Sequence, residues 1–140
     1  MKTEEKNKEV VREFFKAMEE GNLGKVRELL ASDFKFYNPA APKPISADDL
    51  IQLIKDYYKA FPDNIHEIHD VLAEGNKVAM RLTEYGTHKG EFEGVPATGR
   101  RVKLAAIHMG TIEGGKLKEW WLAEDSLGQM MQLGMILKPK

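Results

Sequence analysis

The chain has 140 residues and a formal net charge of −1, with 42% hydrophobic and 31% charged residues. This length predicts one domain over residues 1–140, which would bury about 68% of the surface that the unfolded chain exposes. The near-neutral charge excludes the basic footprint of a nucleic-acid or anionic-membrane binder. The absence of cysteine excludes disulfides, thiolate metal sites and a cysteine nucleophile.

The N-terminal stretch MKTEEKNKEVV lacks the apolar run of a signal peptide. No stretch approaches the length of about 18 apolar residues that a membrane span needs. We therefore expect a cytoplasmic protein.

Apolar spacing predicts three helices in the N-terminal half. The first covers residues 4–20, and a second, shorter helix begins at Leu23 and ends near Ser32. Residues 34–44 contain three prolines and are predicted as an ordered loop rather than a strand. Ser46 is followed three residues later by an acidic side chain, a pattern that favours the start of a third helix.

After Asn64 the pattern becomes strand-like. Strands are predicted at Ile65–Ala73, Val78–His88, Arg101–Ile112 and Lys116–Glu124. Helices followed by hairpin-linked strands predict an α+β domain with helices on one face of an antiparallel sheet. A curved sheet of this kind would form a cone with an apolar interior. Aromatic residues of the helices either fill that interior or line a pocket for a flat apolar ligand.

Two motifs make the pattern specific. GTHKGEFEGVPATG occupies residues 86–99, and WLAEDSLGQMMQLG occupies residues 121–134. With both in this order, the chain from about Val10 to Gly134 resembles the SnoaL-like polyketide cyclase, or ester cyclase, family. The resemblance implies the cone-shaped α+β barrel of the nuclear transport factor and ketosteroid isomerase superfamily. It also implies aldol cyclisation of a polyketide without metal or organic cofactor, and homo-oligomers that pack through their sheets.

Aldol cyclisation needs one group that removes a carbon-bound proton and returns a proton to the new alkoxide. A carboxyl in an apolar pocket can do both. Asp125 is the predicted catalytic residue, because period two places it on one face with Trp121 if the strand continues that far. The family match places a catalytic aspartate at or near this position. Glu124 would then point to the opposite face. Alternatively, Asp125 caps the C-terminal turn near Gly128.

His108 is the second catalytic candidate. It alternates with Val102, Leu104 and Ala106, so its ring is predicted to face inward, where it needs a hydrogen-bond partner. The resemblance adds that family members use a strand histidine as a helper. The alternative is a buried histidine whose bonds go to backbone or water.

The predicted substrate-binding residues are aromatic or polar. Asn38 could hydrogen-bond a substrate carbonyl at the cavity mouth, although Asn-Pro is also a common turn opener. The alternation of its strand places Glu84 inward, where it could act as a second acid. The alternative is that Glu84 forms an exposed ion pair. The full set is Trp121, Asn38, Tyr37, Phe15, Tyr57 and Glu84.

No metal site is predicted, because His66 and His69 fall on opposite faces of their strand without a third ligand at a supporting spacing. The favoured function is a cofactor-independent acid–base enzyme that acts on a small apolar or aromatic carbonyl-bearing molecule. Alternatives are a non-catalytic binding module, an isomerase, dehydratase or hydrolase relative, and an assembly module. We expect a homodimer through the sheet, and no nucleic-acid or membrane partner.

Overall fold

A computed structural model describes residues 2–140 of the chain. Its elements follow in the order α1 (Thr3–Glu19), α2 (Leu23–Glu28), β1 (Leu30–Tyr37), α3 (Ala47–Ala60), β2 (Ile65–Glu74), β3 (Lys77–Thr87), β4 (Arg101–Glu113), β5 (Lys116–Glu124) and α4 (Ser126–Gln132). The predicted α+β class is confirmed, as are the three N-terminal helices and the four strands after Asn64.

The five strands form one sheet in the order β1-β5-β4-β3-β2. The three hairpin-linked pairs are antiparallel, whereas β1 lies parallel to β5 at the edge. The prediction that residues 34–44 form only a loop is wrong, because Phe34–Tyr37 belong to β1. The prolines follow this strand, and the alternation of Phe34 and Phe36 buries both rings. The sheet is therefore mixed rather than purely antiparallel.

Cross-strand pairing defines which side chains share the inner face of the sheet. Met80 lies opposite His108, and His108 lies opposite Leu122. The β2–β3 pair contains an irregularity at His69 in β2, and the β4–β5 pair contains one at Lys118 in β5. One extra residue reverses the inward and outward alternation beyond it. This reversal decides which tryptophan of β5 reaches the core.

The helices cover the inner face. α1 buries an apolar stripe that includes Val11, Phe14 and Phe15, and α3 starts where the Ser46 hydroxyl accepts a hydrogen bond from the Asp49 amide at 3.2 Å. Burial of these stripes against the sheet supplies most of the stabilisation that short helices lack on their own. Among residues 2–140, no helix is long and apolar enough to cross a membrane.

Candidate active site

A cavity of about 390 Å³ lies between the inner face of the sheet and helices α1 and α3. Its wall is mostly aromatic and aliphatic, and it carries a small set of polar groups. The lining side chains that bear hydrogen-bonding or ionisable groups are Asn38, Asp56, Tyr57, Tyr58, Asn64, His66, Glu84, Glu91, Glu93, His108, Trp120 and Glu124. An apolar hollow with a few convergent polar groups is the usual form of a small-molecule site.

His108 lies on β4 and is 7% exposed. The indole nitrogen of Trp120 donates a hydrogen bond to its Nδ1 at 2.8 Å. Burial lowers the pKa of His108 to about 4, so the ring is neutral at physiological pH. Since Nδ1 accepts, the single ring proton resides on Nε2. Within residues 2–140, Nε2 has no partner, so the site presents a buried N–H donor to whatever occupies the cavity.

His66, at the start of β2, lies between two carboxylates. Its Nδ1 is 2.9 Å from Oε1 of Glu19 and its Nε2 is 3.1 Å from Oε1 of Glu84. Burial opposes a charged ring, but the hydrogen bonds to Glu19 and Glu84 raise the pKa of His66 to about 9. His66 is therefore an imidazolium at neutral pH. Phe15 packs its ring against both histidines, with centroids 4.7 Å from His66 and 5.3 Å from His108.

Glu124 is the last residue of β5 and faces the cavity. Burial and, secondarily, the negative charge of Glu84 raise its pKa to about 7. A carboxyl with this proton affinity is present in both its acid and its base form near neutral pH, which suits a group that must take and return a proton.

Tyr57 and Asn38 complete the polar lining. The Tyr57 hydroxyl accepts a hydrogen bond from Nε2 of Gln129 at 3.0 Å, and burial raises its pKa, so the hydroxyl keeps its proton. The Asn38 Oδ1 accepts a hydrogen bond from the Ala40 amide at 2.9 Å. Asn38 thus opens the turn and also lines the cavity, while its hydrogen bond to a substrate carbonyl stays a prediction.

Asp125 does not project into the cavity, and the prediction that it does is wrong. The residue is exposed and caps α4, where its Oδ1 accepts a hydrogen bond from the Gly128 amide at 2.9 Å. Its position agrees with the alternative interpretation, in which Asp125 caps the C-terminal turn near Gly128. Its neighbour Glu124, predicted to point away, is the carboxyl that the cavity contains.

Trp121 and Tyr37 are also placed wrongly by the prediction. Their rings stack on each other on the outer face of the sheet, with centroids 5.3 Å apart. The cause is the extra residue Lys118, which turns Trp120 rather than Trp121 inward. The other predicted residues, Phe15, Tyr57, Glu84 and His108, lie on the cavity wall with Asn38.

Sequence reasoning missed Glu124, His66, Trp120 and Asn64. The hairpin at Gly114-Gly115 gave no signal for Glu124, because counting back from the turn pairs His108 with Trp121, whereas the extra residue Lys118 makes Leu122 its partner. The pairing of His66 with Glu19 joins residues 47 positions apart, and no local pattern indicates it.

For metals, the described residues contain no group of three or more histidine, cysteine, aspartate or glutamate side chains that could hold an ion.

The fold and the cavity together define an α+β cone of the nuclear transport factor and ketosteroid isomerase type. The chain matches the SnoaL-like polyketide cyclase family over residues 8–133 and belongs to it. It is 30% identical over 131 residues to the aklanonic acid methyl ester cyclase DnrD of Streptomyces peucetius, an alignment that covers 90% of this chain and 89% of that protein.

Solved structures share the fold of this chain. AclR from Streptomyces galilaeus, which is described as a hydroxylase, superposes with a TM-score of 0.88 at 28% identity, over 96% of this chain and all of that one. IdmH from Streptomyces antibioticus superposes with a TM-score of 0.84 at 27% identity, over 92% of this chain and 99% of that one. The family and the cyclase relatives support a cyclase-like role for this chain.

Proposed function

We propose that the cavity catalyses an intramolecular aldol-type cyclisation of a small, carbonyl-rich, largely apolar molecule by acid–base chemistry. The observation that carries the proposal is the Glu124 carboxyl, which lines an aromatic cavity with a pKa raised to about 7. A proton acceptor of this strength, partly shielded from bulk water, can remove a proton from a carbon between two carbonyl groups.

The proposed steps use groups of this chain alone. The Glu124 carboxylate takes the carbon-bound proton and becomes a carboxylic acid, and the electron pair delocalises into the substrate carbonyl as an enolate. The enolate carbon attacks a second carbonyl carbon, so a C–C bond forms and that carbonyl becomes an alkoxide. The Glu124 carboxyl returns its proton to the alkoxide. Neutral His108 donates Nε2–H to a carbonyl oxygen on which negative charge develops.

Removal of the carboxylate tests the proposal. The first test compound is aklanonic acid methyl ester, the compound in the name of DnrD. Glu124→Gln should lower the cyclisation rate by about 10²–10⁴-fold, the usual contribution of a general acid–base group. Asp125→Asn is the matched control, because asparagine caps a helix as well as aspartate does. Its rate should stay within about twofold of the unsubstituted protein.

Two results would contradict the proposal. One is a Glu124→Gln variant that turns over substrate at the unsubstituted rate, and the other is an Asp125→Asn variant that loses the rate. A second candidate is a binding module without chemistry, which the aromatic wall also suits. Quenching of Trp120 fluorescence by the ester, with no product from the unsubstituted protein, would favour that candidate.

We also propose that the protein pairs through the outer face of its sheet. Ile107 and Met109 are 57% and 43% exposed there, and Met109 lies opposite Trp121. Exposed apolar residues side by side on the outer face of the sheet support an interface. Ile107→Glu should convert a dimer to a monomer in sedimentation velocity, whereas Leu137→Glu in the C-terminal tail should not. A cytoplasmic location stays a prediction.

A further inference from the structure

Glu19, His66 and Glu84 form a hydrogen-bonded array that reaches from α1 through the cavity wall. Oε1 of Glu19 accepts bonds from both the backbone amide and Nδ1 of His66, at 2.6 and 2.9 Å. Nε2 of His66 lies 3.1 Å from Oε1 of Glu84, and the histidine side chain is 3% exposed. Both ring nitrogens face acceptors, so both carry protons. The ring is a cation whose orientation is fixed from two sides.

Glu84 receives a second donor. Nδ2 of Asn64 lies 3.0 Å from the same Oε1 that faces His66. The Glu84 side chain is 12% exposed and lines the cavity that also holds Glu124. Two carboxyls in one low-dielectric cavity repel when both are ionised, so one of them tends to keep its proton. The donors from His66 and Asn64 favour the charged form of Glu84.

We propose that His66 is a positioning residue that determines which cavity carboxyl holds the proton: its positive charge keeps Glu84 ionised and thereby leaves the proton on Glu124. Glu19 supports this role because it holds the ring in place from outside the cavity lining. The inference rests on the proposed acid–base function of Glu124, and its readout needs no turnover.

The charges around Glu124 leave His66 without a competitor for this role. The ionisable groups that share its cavity come from every surrounding element. Besides His66 on β2, they are Glu84 on β3, neutral His108 on β4, Asp56, Tyr57 and Tyr58 on α3, and Glu91 and Glu93 of the loop after β3. Within residues 2–140, the cavity lining includes no lysine or arginine. His66 is therefore the cation of the described lining.

The proton affinities agree with the geometry. Burial opposes ionisation of Glu84, yet the hydrogen bond from His66 and its charge lower the pKa of this carboxyl below its ordinary value. For Glu124, burial and the charge of Glu84 act in the same direction and raise the pKa. The two carboxyls thus differ in proton affinity because only one of them contacts the imidazolium.

The test is a pH titration of the Glu124 side-chain carboxyl carbon by ¹³C NMR, in protein with labelled glutamate. Loss of the signal in Glu124→Gln assigns it. His66→Gln should move the Glu124 midpoint down by about one pH unit and the Glu84 midpoint up, since Glu84 without the imidazolium takes the proton and no longer repels the Glu124 carboxylate. Glu84→Gln should also move the Glu124 midpoint down by a similar amount, since an anion is removed.

His69→Gln is the matched control. His69 lies on the same strand and its Nε2 contacts Oγ1 of Thr83 at 2.8 Å, on the face away from the cavity. Its substitution should leave the Glu124 midpoint unchanged. A purely structural role for His66 would lower stability without moving the midpoint, and an unchanged or raised Glu124 midpoint in His66→Gln overturns the proposal.

A second measurement needs no variant. The ¹⁵N signals of the His66 ring should show both nitrogens protonated at pH 7, with loss of one proton near pH 9. A neutral His66 ring at pH 7 overturns the proposal even if His66→Gln fails to fold. The outcomes also separate the two proposals. Normal turnover in Glu124→Gln removes the proposed function, while a lowered Glu124 midpoint in both His66→Gln and Glu84→Gln keeps the electrostatic role of His66.

Discussion

The hydrogen bond between Trp120 and His108 gives the sharpest prediction. Trp120→Phe keeps an aromatic ring on the inner face but removes the indole N–H that donates to Nδ1 of His108 at 2.8 Å. His108 is 7% exposed, so water cannot easily replace the lost donor. An unsatisfied buried acceptor costs about 1–3 kcal/mol, and the smaller ring leaves a void that adds about 1 kcal/mol.

The matched control is Trp121→Phe, because Trp121 lies one residue further on the outer face. A phenyl ring there can still stack on Tyr37, so we expect a change within about 0.5 kcal/mol. Urea unfolding followed by far-UV circular dichroism should show a loss of about 2–4 kcal/mol for Trp120→Phe and almost none for Trp121→Phe.

The ring of His108 provides a second readout of the same prediction. In the unsubstituted protein, ¹⁵N NMR should show Nδ1 without a proton and Nε2 with one at pH 7. Trp120→Phe should change the Nδ1 signal, since its donor is gone. Equal stability of the two variants, or an unchanged His108 spectrum in Trp120→Phe, would refute the assignment of this buried bond.

Three further predictions concern stability. Gly110→Ala places a Cβ against the ring of Trp120, so urea unfolding should show a loss of about 1–3 kcal/mol from overpacking; unchanged stability would contradict the close approach. Asp125→Ala removes the cap of α4 and should cost about 1 kcal/mol without lowering the turnover. Loss of turnover in this variant would instead indicate that Asp125 acts in the active site. In the folded protein the pKa of Glu124 is about 7, above its ordinary value of 4.5. The protonated side chain therefore contributes fully to the free energy of unfolding below pH 4.5, and this contribution is lost as the pH rises through 7. Relative to the unsubstituted protein, the free energy of unfolding of Glu124→Gln should therefore rise by as much as about 3 kcal/mol between pH 4.5 and 8. A difference that stays constant over this pH range would contradict the raised pKa.

Much of the architecture follows from local sequence pattern. The stripe of Val11, Phe14 and Phe15 and the cap at Ser46 are readable because helix periodicity and capping are local effects. Strand alternation likewise placed His108 on the inner face, whereas for Glu84 it left an inward position and an exposed ion pair both open. β1 was not predicted, because prolines follow it closely in the sequence. Its formation as an edge strand depends on pairing with the distant β5.

The site was predictable only up to the first irregularity of the sheet. Alternation along β5 reverses at Lys118, and nothing in the residues from Leu117 to Trp121 shows that one of them is extra. The bulge is set by pairing with β4, so parity counted from the sequence exchanged Trp120 with Trp121 and Glu124 with Asp125. The contact of Glu19 with His66 depends on how α1 packs on β2, which is a tertiary effect.

The proton affinity of the cavity carboxyl is the claim on which the proposed chemistry depends. A ¹³C titration of the Glu124 carboxyl in the unsubstituted protein measures it directly. The geometry of the cavity predicts a midpoint at about pH 7. A midpoint at the ordinary value of 4.5 would show a solvated carboxylate and contradict the role of Glu124 as the group that takes and returns the proton.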